Sequence, residues 1–327
     1  MLNLKFRYAV LLSSVIIASL PAPAAAQGDP WPLKPVRWIV PFPPGGSTDI
    51  IARFISPKLS ESLGQPVIID NRSGASGNIG SELVARAAPD GYMLLSNTMP
   101  FVVNPAMVAK PLYDVQRDFE AIMLMANQTS FLGLHPSVPA RTVKELIALA
   151  RAKPGALNYG TAGIGTNPHV AGELFNLLAK VNIVAVHFKG GAPALIAVMG
   201  GEISFVYNST AGAVPHIRAG RIRAIAVTGT QRAGTLPDVP TIAEAGVPGY
   251  EFQAWHVIVA PKGTPKHITG LLNERIKAAL KSPDLIQRFK QDDLDIIGAT
   301  PEQTATFLAA EVKKWSRVVK ERGMRAE

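Results

Sequence analysis

Two short loops carry the residue types and spacing of an anion cradle. They are Pro44-Gly45-Gly46-Ser47-Thr48-Asp49 and Gly163-Ile164-Gly165-Thr166-Asn167-Pro168. Glycines let a backbone approach a ligand closely, and a helix N-terminus offers unpaired N–H groups and the positive end of its dipole. Ser47, Thr48 and Thr166 add hydroxyl donors. Neither loop contains Lys or Arg, so the donors are neutral, which suits a carboxylate that is captured and then released. The same residues also have a plainer use: Pro-Gly-Gly turns a chain, and Ser or Thr caps a helix. Two loops of the same design favour the cradle.

Other motifs carry less. Gly74-x-x-Gly77-x-x-Gly80 follows a strand and opens a helix, but its spacing is not G-x-G-x-x-G, and no acidic residue closes a second strand about 20 positions on. No phosphate-binding G-x-x-x-x-G-K-[ST] occurs, and Gly45-Gly46-Ser47-Thr48-Asp49 is not the G-x-S-x-G of a nucleophile elbow. His169 and Glu173 share one helix face at i, i+4, a pair that could hold a metal; with no third ligand and no H-E-x-x-H, a capping or surface role suits them better. His135, His187, His216, His256 and His267 show no metal-ligand spacing, and sequence order alone does not decide whether a Ser–His–Asp triad forms in space. Trp255 is read as core or as a ligand platform.

Strand–loop–helix units must position these loops. Strands are predicted over 36–40, 67–70, 92–96, 131–134, 157–160, 183–187, 203–207, 222–227 and 255–260. Helices are predicted over 48–62, up to about 87, over 143–153, up to about 179, from Gly190, near 214–219, and over 265–281, 283–291 and 301–322. In the first helix Ile50, Ile51, Phe54, Ile55 and Leu59 share one face. Ser47 or Thr48 is placed to cap it, and Asp49 suits its positive first turn. In open α/β sheets ligands sit beyond the carboxyl ends of strands, where both loops fall. The alternation predicts α/β lobes with largely parallel sheets, and the lack of a long linker predicts two lobes that share crossing strands.

The N-terminus reads as an export signal. Lys5 and Arg7 precede an apolar run of about a dozen residues, then a Pro/Ala-rich stretch ending Ala24-Ala25-Ala26. That run is short of the roughly 20 residues a spanning helix needs, so residues 1–26 are expected to be cleaved and the protein to be periplasmic. There is no Cys, which excludes a lipidated cysteine anchor, disulfides and thiolate chemistry. With 47% hydrophobic and 17% charged residues, the chain builds a large core. Formal net charge is +9. Lys5 and Arg7 account for two of those charges, leaving +7, a balance that draws anions or simply aids solubility. Lys and Arg form no long runs and do not interleave with aromatics, so no nucleic-acid partner is expected.

Trp31-Pro32-x-Lys34-Pro35-Val36-Arg37-x-Ile39-Val40-Pro41-Phe42-Pro43-Pro44-Gly45-Gly46-x-x-Asp49 resembles the tripartite tricarboxylate transporter substrate-binding family, the TctC-like or Bug proteins. The resemblance continues through Asp70-Asn71-Arg72, Gly74-Ala75-x-Gly77-Asn78-Ile79-Gly80 and Ala88-Pro89-Asp90-Gly91-Tyr92. It reappears in Gly163-x-Gly165-Thr166, His169-x-Ala171-Gly172-Glu173-Leu174-Phe175, Phe188-Lys189-Gly190-Gly191-Ala192-Pro193 and Ala260-Pro261-x-Gly263-Thr264-Pro265.

The resemblance implies a periplasmic-binding-protein type-II-like fold, two α/β lobes joined by crossing strands with a cleft between them. Lobe 1 would comprise residues 27–128 and 251–327, lobe 2 residues 129–250. It implies a monomeric solute-binding protein, not an enzyme, that closes on a small organic carboxylate and delivers it to membrane permease subunits, with no cofactor or metal. A periplasmic sensor of the same fold, or a Ser/His hydrolase, are the alternatives. The ligand-binding set is Phe42, Gly45, Gly46, Ser47, Thr48, Asp49, Thr98, Gly163, Gly165, Thr166, His169, Tyr207, Asn208 and Ala211. Around Tyr207–Ala211 the family presents a further ligand loop; its usual acid is Asn208 here and its Leu-Pro is Thr210-Ala211. Phe42, Phe101 and Tyr207 would line an apolar part of the site or belong to the core.

Overall fold

Strand β1 (Val36–Val40) pairs in parallel with β2 (Val67–Asn71) on one side and β3 (Met93–Asn97) on the other. Covered on both faces, it is almost wholly apolar, and Val36, Trp38, Ile39 and Val40 have no exposed surface. The computed structural model describes residues 31–210 and 212–325, so the expected leader, residues 1–26, and Ala211 lie outside the described residues. Helix α1 (Ser47–Leu63) follows β1. It buries Ile51, Ala52, Ile55 and Leu59 at helical spacing and stops at Gly64, whose left-handed φ of 66° ends it.

Three more strands, β4 (Phe119–Gln128), β10 (Ala254–Pro261) and β11 (Leu294–Ile296), complete a six-stranded sheet in the order β11-β4-β10-β3-β1-β2. A second, five-stranded sheet runs β7-β6-β8-β5-β9. Its members are β5 (Ser130–Leu134), β6 (Asn158–Thr161), β7 (Val184–His187), β8 (Phe205–Ser209) and β9 (Arg223–Val227). Only Thr129 separates β4 from β5, so the chain passes directly from one sheet to the other, and it returns between β9 and β10. Two α/β lobes joined by crossing strands, as the sequence predicts, are the result.

The helices between strands are α2 (Asn78–Ala85), the single turn α3 (Pro100–Val103), α4 (Val143–Ala152), α5 (Asn167–Ala179), α6 (Gly191–Met199) and α7 (Val214–Arg218). After β10 come α8 (Lys266–Leu280), α9 (Pro283–Gln291) and α10 (Pro301–Arg322). No helix among the described residues is long and apolar enough to cross a membrane.

Most predicted boundaries fall within two residues of the structure, and among the strands and α-helices three were not predicted. β4 is missed because its apolar run, Ala121 to Ala126, lacks alternation: it lies mid-sheet and is buried on both faces. α3 and β11 are single short pieces with no periodicity to read. The expected largely parallel sheets are mixed. Parallel pairing is confined to β2-β1-β3 and β7-β6-β8, where a helix makes the crossover, while β10, β4, β11, β5 and β9 join by antiparallel pairings.

Helix α10 fastens to β10 through one carboxylate. Glu311 Oε2 accepts from Trp255 Nε1 at 2.7 Å and from Trp315 Nε1 at 2.8 Å. Trp255 is 2% exposed and meets Phe307 edge-on, so it is core and not a ligand platform. Replacing Glu311 by Ala strands two buried indole donors, each costing about 1–3 kcal/mol. We expect Glu311→Ala to lower the unfolding free energy in urea by about 2–4 kcal/mol and Glu311→Gln, which keeps an acceptor, by clearly less.

Candidate functional site

The start of α1 leaves its backbone donors free. Its N-cap is Gly46, in extended conformation, with no side-chain capping bond. This corrects the expected cap: Ser47 and Thr48 lie inside the helix. The first intrahelical bond is Ile50 N–H to Gly46 O, and the N–H groups of Ser47, Thr48 and Asp49 meet no acceptor among the described residues. Thr48 is 4% exposed, and its Oγ1 lies 3.4 Å from Nδ1 of the buried His256. Burial lowers the His256 pKa to about 4, so the ring is neutral.

Asp49 props this loop from behind. Its carboxylate accepts from the Gly45 N–H at 2.9 Å, Asn71 Nδ2 at 2.9 Å and Arg53 Nε at 2.9–3.0 Å. Asn71 also donates to the Phe42 carbonyl, and Arg53 to Asn71 Oδ1. Burial alone would raise the Asp49 pKa, but these bonds and the Arg53 charge outweigh it and hold the carboxyl below its usual value. The Arg53 charge is thereby taken up by Asp49. Phe42 is half-buried, and its ring packs 3.3 Å from where a Cβ on Gly77 would stand.

The second loop is braced differently. The Gly163 N–H donates to Thr161 Oγ1 and the Gly165 N–H to His169 Nδ1 at 2.9 Å. Both glycines have positive φ, 125° and 73°, a conformation L side chains rarely adopt. Thr166 is the N-cap of α5, but its hydroxyl turns back to the Gly163 carbonyl at 2.6 Å and caps nothing. The N–H groups of Asn167 and His169 meet no acceptor among the described residues. His169 is 8% exposed; burial lowers its pKa to about 4, and accepting an N–H at Nδ1 puts its own proton on Nε2.

A third helix start joins them. Gly190 is the N-cap of α6, again without a side-chain cap, and the N–H groups of Gly191 and Ala192 are open. Asn208 at the end of β8 steadies this start. Its Nδ2 donates to the Gly191 carbonyl at 3.1 Å, and its Oδ1 accepts the Ser209 N–H. By contrast, α4 and α10 carry complete capping boxes, Thr142 with Glu145 and Thr300 with Gln303.

Several close approaches link residues that follow β2 and β3 to the second loop. Thr98 Oγ1 lies 3.4 Å from Asn167 Oδ1. A Cβ on Gly165 would stand 2.1 Å from Asn104 Oδ1, and one on Gly163 would stand 3.7 Å from Ser76 Oγ. The turn that carries Ser76 and Gly77 thus touches both Phe42 and the second loop. Tyr207 goes elsewhere: it is 1% exposed, with its ring against Tyr159 and Phe205, so the structure places it in the core beneath the strand end. Phe101 is core as well, packed with Tyr113 and Phe119. Sequence reasoning missed Asn71, Asn104, Thr161, His187 and His256, which act on the loops through other groups. Of these only Asn71 carried a signal, in Asp70-Asn71-Arg72. No cluster of three His, Cys, Asp or Glu among the described residues could hold a metal.

A family model described as the tripartite tricarboxylate transporter family receptor matches residues 51–324. Protein BugT of Bordetella pertussis is 36% identical over 324 residues, 98% of this chain and 99% of that protein. A solved R. palustris protein with adipate is 37% identical, with a TM-score of 0.82 over 90% of this chain and 99% of the other. MatC from Rhodopseudomonas palustris with bound malate is 32% identical, with a TM-score of 0.80 over 88% of this chain and 100% of the other. The periplasmic-binding fold expected from the sequence is shared with the solved periplasmic binding protein BugD, 32% identical with a TM-score of 0.81 over 91% of this chain and 100% of the other.

Asp49 tests the brace. We expect Asp49→Asn to cost about 1.5–3 kcal/mol at pH 7, the range for hydrogen bonds to a charged group. A carboxyl whose folded pKa is lowered stabilises above its unfolded pKa, about 3.9, and loses that contribution as pH falls through the folded value. The stability gap between wild type and Asp49→Asn, measured in urea, should therefore shrink below about pH 4.

Proposed function

The chain belongs to the tripartite tricarboxylate transporter receptor family, and on that premise we propose that it captures a small organic carboxylate in the periplasm and delivers it to the permease of a tripartite tricarboxylate-type transporter. One observation carries this reading: three helix starts, at α1, α5 and α6, keep first-turn N–H groups free of any acceptor among the described residues, and Thr98 and Ser76 approach the loop that opens α5. Such groups favour an anion over a neutral or cationic solute. A carboxylate fits neutral donors that hold it without the tight grip of a buried guanidinium. Adipate and malate in two relatives of 37% and 32% identity support the same ligand class.

In this reading residues 27–128 with 251–327 form one lobe and 129–250 the other, and the strands around Thr129 and before β10 are the hinge. Gly45–Asp49 would hold the solute from one lobe, and Gly163, Gly165, Thr166 and His169 would shape the cradle on the other, with Thr98 and Asn208 at its borders. The protein would be exported, act as a monomer and catalyse nothing. The Ser–His hydrogen bond among the described residues, His135 with Ser137 at 2.6 Å, is an exposed i, i+2 turn contact and not a nucleophile arrangement.

A thermal-shift screen of small organic acids, with matched neutral amides and sugars, tests the class. An acid at 100 times its Kd should add about 2.7 kcal/mol, a rise of about 4 °C for a chain of this size. Stabilisation by sugars or cations and by no acid would contradict the reading. Gly165→Ala should weaken binding of any stabilising acid at least about tenfold, or 1.4 kcal/mol. The added methyl would meet Asn104 Oδ1 in a backbone conformation alanine resists.

A further inference from the structure

Each glycine of the second loop is fastened by its own imidazole. Gly165 donates its N–H straight to His169 Nδ1 at 2.9 Å. Gly163 donates its N–H to Thr161 Oγ1 at 3.2 Å, and Thr161 Oγ1 lies 2.7 Å from His187 Nδ1. The Thr161 hydroxyl has two acceptors in reach, the Gly163 carbonyl at 3.4 Å and His187 Nδ1 at 2.7 Å, and the shorter contact assigns its proton to His187. Both Nδ1 atoms therefore act as acceptors. The two rings also meet edge to face, with centroids 4.9 Å apart.

We propose that His187 is a positioning residue: acting through Thr161, and together with His169, it holds the 163–166 loop in its ligand-receiving shape, and protonation of the imidazole pair unfastens that loop. The proposal rests on this loop being part of the ligand site. A proton on Nδ1 replaces the lone pair that receives the Thr161 hydroxyl, or the Gly165 N–H at His169, with a second donor. Charging both rings also sets two cations side by side.

The surroundings set the direction. The charged group near both rings is Glu173 on α5, which favours the imidazolium. Glu173 is itself engaged by Arg322 of α10 at 2.8 Å and by Tyr159 of β6 at 3.0 Å. Lys189 lies two residues beyond His187 on the exposed side of the chain. Burial opposes protonation and lowers the buried His169 to about 4; His187, exposed at the end of β7, is lowered by the partial desolvation of its ring. Because the folded pKa values lie below the unfolded one, the fastened loop is complete above about pH 6.5 and fails as pH falls through the folded values, His187 before His169.

Backbone hydrogen exchange of the peptide covering residues 160–169, corrected for the intrinsic pH dependence of exchange, reads the loop without any ligand. Wild type should be protected at pH 7.5 and lose that protection progressively as pH falls to about 4, where His169 titrates. His187→Asn, whose side-chain oxygen can stand in for Nδ1 and does not titrate, should match wild type at pH 7.5 and lose protection only at a lower pH than wild type does. His187→Phe should be poorly protected throughout. Flat wild-type protection from pH 7.5 to 4 would overturn the proposal. So would wild-type protection in His187→Phe, or His187→Asn as open as His187→Phe at pH 7.5. A pH-responsive loop in a protein that no acid stabilises would uphold the fastening and sink the carboxylate reading, so the two failures are separable.

Discussion

An α-helix begins with N–H groups that have no partner in the helix, and the site of this protein is built on leaving them that way. At α4 and α10 the sequence meets the need with capping boxes, and those helix starts are closed to any other partner. At α1 and α6 the N-cap is glycine, which has no side chain to offer, and at α5 the Thr166 hydroxyl turns back on its own loop. The starts of α8 and α9 also lack a side-chain cap; what sets α1, α5 and α6 apart from these is the glycine loop that leads into each. Water or a bound anion must satisfy their open donors.

Free donors are useful only if they are held still. Each loop is fixed from behind by a side chain that does not occupy the open side: Asp49 under the first, His169 and Thr161 under the second, Asn208 beside the third. Preorganisation of this kind lowers the ordering cost of binding. The division of labour also explains why Asp49 is no obstacle to an anion. Its charge is taken up by Arg53, Asn71 and the Gly45 N–H, and what the loop presents is backbone.

Much of this was legible in the chain. The Pro-Gly-Gly turn after an apolar strand, the repeated strand–loop–helix order and the α10 boundaries are local signals, and the structure follows them closely. What escaped was set by tertiary context. β4 has no alternation because both its faces are buried, and Tyr207 read as a ligand residue because strand parity near its end cannot be fixed when β8 begins two residues later than predicted. The Ser47/Thr48 cap failed because glycine already stood at the boundary. The supporting residues were unreadable for a different reason: Asn104, His187 and His256 reach the loops from 60, 24 and more than 200 positions away in the chain, about the separations over which a sequence carries no contact information.

The most direct test of the account is to follow backbone amide resonances while titrating an acid that stabilises the protein. If a carboxylate sits on the helix starts, the amides of Ser47, Thr48 and Asp49 in α1 and of Asn167 and His169 in α5 should shift together and saturate at one Kd, and the matched amide of that acid should leave them in place. Saturable binding that moves amides elsewhere and leaves these five unmoved would contradict it.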